Sequence, residues 1–154
     1  MRELAALGLV TPAFDPNRRD DFAHWDALAR GLREGGAEGF LAASDLQSVP
    51  DAWRATVERA VRQRLAAHLH PEAVADALSA VPRSRPFESW SELAAISAPT
   101  LVVGSRDEAD HGHPLATAQR YAEAIGGARL VVEEEGRSPI AWQGGQLSHL
   151  LLDF

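Results

Sequence analysis

The feature that most constrains the fold is a pair of short apolar runs that do not alternate. Pro99 to Gly104 reads PTLVVG, and Ala128 to Val132 reads ARLVV directly after the Gly126-Gly127 pair. A strand wetted on one face alternates apolar and polar residues, whereas a strand covered on both faces reads as one continuous apolar run, the pattern of parallel sheets. The stretch between them, Pro114 to Ile125, has helical spacing, so the end of the chain reads strand, helix, strand, helix. That alternation implies an α/β layer structure with right-handed crossovers. A third run, Ala6 to Thr11 (ALGLVT), stops at Pro12 and predicts a further strand.

From about Arg18 to Ile96 every signal is helical. Asp20 to Arg33 carries Phe22, Trp25, Leu28 and Leu32 at helical spacing, with Gly35-Gly36 as a stop. A second helix is predicted from Pro50 to about Leu69, with the apolar stripe Trp53, Val57, Val61, Leu65 and Leu69. Its charges Arg54, Glu58 and Arg62 also sit four apart and read as a salt-bridged, solvated face. Pro71 opens a short helix to about Ala80, VPRSRP links it onward, and Phe87, Trp90, Leu93 and Ala94 predict one more amphipathic helix. The expected organisation is therefore a first strand and turn over 1–16, a helical insertion over 17–96, and the rest of the α/β core over 97–154. Parallel neighbours tolerate such long crossovers. An insertion of this kind lies outside the carboxyl ends of the strands, where ligands bind in open α/β sheets.

Composition removes whole classes of function. At 154 residues the chain suits one domain, and 45% apolar with 24% charged residues is the balance of a globular protein. A formal charge of -7 argues against nucleic acid or an anionic membrane as partner. The absence of cysteine excludes disulfides, thiolate metal sites and a thiol nucleophile. No apolar run approaches the roughly 20 residues a membrane helix needs, and the start of the chain is too broken for a secretory signal, so a cytoplasmic location is expected.

The order of elements then meets specific residues. LVTPAFDP, residues 9 to 16, resembles the sixth strand of α/β-hydrolases and the turn after it. PTLVVGSRDEAD, residues 99 to 110, resembles the seventh strand and the loop that presents the acid of the catalytic triad, with Gly104 followed three positions later by Asp107. Pro114 to Ile125, Leu130 to Val132, Gly136-Arg137-Ser138 and Ala141 to Phe154 take the places of the helix, eighth strand, base-bearing turn and last helix. The resemblance implies a partial α/β-hydrolase fold, three parallel strands with flanking helices and an all-helical cap. It implies Asp107 in the triad-acid position, and no organic cofactor.

Two departures limit what the resemblance implies. The family's nucleophile sits in a Gly-x-Ser-x-Gly turn before the sixth strand, and none of the ten serines here has that context. Where the family has its base histidine this sequence reads EEEGRSP, with Arg137 in its place. A guanidinium does not deprotonate in the working range and cannot take a proton from a hydroxyl. A relocated base at His111, His113 or His149 is the alternative. Asp15 is either a second acid position or the turn former of FDPN.

Asp107, Glu108, Asp110, His111 and His113 bring carboxylates and imidazoles into one loop, but the spacing matches no closed metal site and no metal is expected. The aromatics Phe22, Trp25, Trp53, Phe87 and Trp90 either roof an apolar substrate cavity or form the core of the helical insertion. The expected function is a truncated or vestigial α/β-hydrolase whose parent acts on small ester-like substrates. The competing expectation is a non-catalytic domain that binds a small apolar ligand or a partner subunit. Self-association is expected through the first strand, whose outer edge carries no charged residue from Leu4 to Val10.

Overall fold

A computed structural model describes residues 4–19, 21–106, 110, 112–133 and 145–154. These residues form two compact units, one of residues 1–18 and 87–154, the other of residues 19–86.

The first unit is built on three strands, β1 (Leu7–Val10), β2 (Thr100–Gly104) and β3 (Arg129–Val132), all parallel in the order β1-β2-β3. The register sets Leu9 opposite Val102 and Val102 opposite Leu130. That row faces a core of Phe87, Leu93, Ala118, Tyr121 and Ile125. Because side chains alternate along a strand, the row Gly8–Leu101–Arg129 points the other way. Helix α5 (Gly145–Leu152) and the residue pair after it lie on that side: a Cβ placed on Gly8 would lie 3.6 Å from Leu151 Cδ2, and the Arg129 guanidinium sits 5.9 Å from the Phe154 ring. Every residue of β2 is buried, in keeping with its apolar run from Leu101 to Val103.

Between β2 and β3 runs α4 (Leu115–Ala124), which buries Thr117, Ala118 and Tyr121. Gly104 sets how closely it approaches the sheet. A Cβ there would come within 2.7 Å of Leu115 Cδ1 and 3.3 Å of Ala118 Cβ, so a side chain at this position would require Leu115 to move and would crowd Ala118. The stretch that carries Phe87 and Trp90, expected as an α-helix, is a 3-10 helix from Trp90 to Ala95, started by a reciprocal capping box of Ser89 and Glu92. Its aromatics join Phe14 and Tyr121: Phe14 meets Phe87 edge-on at 4.9 Å and Trp90 meets Tyr121 edge-on at 5.1 Å. Residues 87–96, which the sequence groups with the helical insertion, thus pack with the strands.

The second unit is entirely helical among its described residues: α1 (Phe22–Ala43), α2 (Asp51–Ala66) and α3 (Pro71–Ala80), with short 3-10 turns at Leu46–Ser48 and Val81–Arg83. The Gly35-Gly36 pair does not end α1 but folds it. Gly36 adopts φ 59 and ψ -142, a conformation open essentially to glycine alone, and the helix resumes after it. A Cβ on Gly39 would lie 2.1 Å from Gly31 O. Eight residues along a straight helix span about 12 Å, so this contact shows that the two arms fold back on each other. Ala29, Leu32 and Ala75 form the buried centre, with Phe40, Leu65, Val74 and Leu78 packed around them.

Helix α2 ends at Ala66 rather than Leu69, and Leu69 is 90% exposed. Pro71 is the cause: it opens α3, and the residue before a proline is driven out of helical geometry, as His70 is at φ -130 and ψ 74. The charges of α2 are paired as expected, with Arg54 on Asp51 at 2.6 Å inside the helix, and two of its arginines also reach neighbouring segments. Arg62 holds Glu38 with two bonds, at 2.7 and 3.0 Å, besides Glu58 at 3.3 Å. Arg54 donates to the carbonyls of Leu46 and Val49. Arg83, expected in a linker, grips Asp26 at 2.7 and 3.0 Å and the Ser79 carbonyl, with its guanidinium over Phe22.

Candidate functional site

The carboxyl ends of β1, β2 and β3 all open on one edge of the sheet, because the strands are parallel. β1 leaves through Thr11, whose φ of 42 is a strained value for a β-branched residue and is held by its N–H on the Val103 carbonyl at 2.8 Å. The chain then turns at Asp15, whose carboxylate accepts the Asn17 N–H at 2.8 Å. That is the turn-forming role of an aspartate. Asp15 also lies near enough to Tyr121 for its charge to add to the upward pKa shift that burial gives the phenol.

β2 leaves through Ser105 and Arg106, and β3 through Glu133. These exits are bonded to each other. Glu133 Oε1 accepts from Ser105 Oγ at 2.9 Å and from the Arg106 backbone N–H, while Arg106 Nε donates to the Glu133 carbonyl at 3.3 Å. The second carboxylate oxygen, Oε2, is buried without a hydrogen-bond partner among the described residues. Asp107, the expected acid, is the next residue after Arg106, and Arg137, in the expected base position, is four residues after Glu133. Both lie outside the described residues, as do Glu108 and His111. The clamp nevertheless fixes where the two segments that carry them leave the sheet.

Beyond Asp107 the loop returns at Asp110, Gly112 and His113, just before α4. His113 Nδ1 lies 2.8 Å from both carboxylate oxygens of Asp110, and Oδ1 also accepts the Gly112 N–H at 3.2 Å. The hydrogen bond to His113 is the main reason the Asp110 carboxyl sits below the usual carboxylate range, against the opposing effect of partial burial. An ionised Asp110 can only accept, so Nδ1 is the donor and carries the proton. In the neutral ring the lone pair then belongs to Nε2. Both side chains are a little over 40% exposed. His149, another candidate, is exposed on α5. Among the described residues, no group of three or more histidine and carboxylate side chains could hold a metal ion.

No protein-family model matches the chain. It is similar to a thermophilic esterase from Thermogutta terrifontis, with a TM-score of 0.70 and 23% identity, over 97% of this chain and 54% of that one. An α/β hydrolase from Sphaerobacter thermophilus matches 97% of the chain at a TM-score of 0.58 and 21% identity, with 58% of its own length covered. The chain has a partial α/β-hydrolase fold. A protein described as "Putative carbamate hydrolase RutD", from Rhizobium rhizogenes, is 31% identical over 106 residues, 68% of this chain and 40% of that protein. The chain thus spans less than two thirds of the length of each of these hydrolases. Among the described residues no helix is long and apolar enough to cross a membrane.

Two contacts at the carboxyl ends of the strands escape a reading of the sequence alone. Glu133 is the first of three consecutive glutamates, and only the end of β3 singles it out. The Asp110–His113 pairing has a local signal, an acid and a histidine three apart around a glycine, but so does the neighbouring Asp107, Glu108 and His111 set.

Proposed function

We propose that the chain supplies the acid-bearing part of an α/β-hydrolase site for small, apolar, ester-like molecules, with Asp107 in the acid position. The observation that carries this reading is the exit of β2. The strand ends in glycine and is followed by a turn that Glu133 locks in place immediately before Asp107. A locked turn at the carboxyl end of a central strand is how a catalytic acid is held to a fixed geometry. Likeness to an esterase of the same fold supports the choice of substrate class. Arg137 cannot serve as the proton acceptor and the sequence holds no Gly-x-Ser-x-Gly turn, so this reading gives the chain the acid position and not the usual serine–histidine couple.

The reading is tested by titrating the chain with a non-hydrolysable mimic of a small ester, such as a methyl ketone, and following amide shifts. Changes should concentrate at Ser105, Arg106, Glu133 and His113. No saturable shift, or shifts confined to residues 19–86, would remove the ester reading. In parallel, a fluorophosphonate probe should label no serine faster than it labels free serine.

We also infer that the chain associates with itself through the outer edge of β1. Among the described residues that edge has no partner strand. Leu4 and Val10 are exposed there, as are Leu151 and Leu152 on α5, whose Leu151 reaches the row of Gly8. An unpaired strand edge with no charge and no proline along it is a template for another strand.

A further inference from the structure

The proposed hydrolase site has an acid position but, with Arg137 where a histidine is expected, no proton acceptor in the usual place. The structure offers one elsewhere. Among the described residues, Asp110 and His113 are joined in the loop that leaves the carboxyl end of β2, with Nδ1 at 2.8 Å from each carboxylate oxygen. The pair is built rather than incidental. Asp110 is itself held by the Gly112 N–H, the backbone N–H of His113 meets the Asp110 carbonyl, and Pro114 then opens α4. A carboxylate bound to one ring nitrogen fixes the imidazole's tautomer and orientation, and raises the basicity of the other nitrogen.

We propose that His113, oriented by Asp110, is the general base of this site, taking over the role that Arg137 cannot fill; the proposal rests on the ester reading of the site. In the step it catalyses, Nε2 takes a proton from a water molecule as the water oxygen bonds to the ester carbonyl carbon. The tetrahedral adduct then breaks its bond to the leaving oxygen, which receives that proton from Nε2 and departs as the alcohol. The ester becomes a carboxylic acid, and the ring returns to its starting tautomer. His113 acts on the reacting atoms. Asp110 is a positioning residue, acting only through the ring.

The competing explanation is that the pair merely staples a turn. The two are separated by measuring 4-nitrophenol release from 4-nitrophenyl acetate by the chain, against free imidazole at the same concentration. The wild-type chain should exceed imidazole, and His113→Ala should lose ~100-fold or more, the low end of what general-base catalysis contributes. Asp110→Asn keeps an acceptor for the Gly112 N–H but loses the charge, and should lose most of the same rate. Added imidazole should raise release by His113→Ala above the sum of the variant alone and imidazole alone, a rescue that a broken staple would not show. Release that is no faster than with imidazole, or that is equal in His113→Ala and wild type, overturns the proposal. The ketone titration decides the ester reading independently: saturable binding with His113-independent release leaves that reading standing and this base rejected.

Discussion

Asp110 is the residue whose charge state says most about the site. Its carboxyl is held below the ordinary carboxylate range chiefly by the His113 hydrogen bond. A carboxyl whose folded-state pKa is depressed contributes stability that is present above its unfolded value, near 3.8, and is lost as pH falls through the lower folded value. Asp110→Asn should therefore be less stable than the wild type at pH 7, and the deficit should shrink as pH is taken below the usual carboxylate range. Urea unfolding at several pH values checks this, and a deficit independent of pH would show that the pairing is not what holds the carboxyl down. Asp15 behaves otherwise, as a turn residue whose carboxylate is spent on the Asn17 N–H. Glu133 is the other residue on which the site depends, because its single Oε1 ties the exits of two strands.

At the scale of elements, the folded-back α1 gives the sharpest expectation. Gly39 and Gly31 meet backbone to backbone, and a methyl at residue 39 would lie 2.1 Å from the Gly31 carbonyl oxygen. Gly39→Ala should cost ~1–3 kcal/mol, the usual range for overpacking a closed contact. Gly36→Ala should cost a similar amount for a different reason, the backbone conformation itself. Gly35→Ala has open space and no unusual φ, so it should be neutral or slightly stabilising. Thermal unfolding of the three variants separates packing from backbone strain, and equal stability of all three would contradict the fold-back.

These same elements show what the sequence could and could not disclose. The strands were legible because burial on both faces leaves a continuous apolar run, and β2 is buried at every residue. The folding of α1 was not, since a glycine at positive φ is needed both to stop a helix and to turn it back. The end of α2 was signalled, but by Pro71 rather than by the apolar stripe, which continues to Leu69 after the helix has ended. At the site, the apolar run that ends at Gly104 was legible, while Asp107 lies outside the described residues. The partner that holds the turn at Ser105 and Arg106 was not legible, because Glu133, just past β3, follows Ser105 by 28 residues.

For the molecule as a whole, the edge strand and the two strand exits decide behaviour. If β1 pairs with a second copy, the weight-average mass from light scattering should rise with concentration. Val10→Lys, a change at a position already 40% exposed, should reduce that rise without unfolding the sheet. A constant monomer mass across the series would show that the edge is protected. We propose that Asp107 and the segment around Arg137 meet in a hydrolase-type site beyond the exits of β2 and β3, which Glu133 clamps together. Nuclear Overhauser contacts between Asp107 and residues 136–139 test it most directly. Such contacts are expected in the wild type and should weaken in Glu133→Ala. If Asp107 shows none in the wild type while the β2–β3 contacts are intact, the two segments do not meet and the claim is wrong.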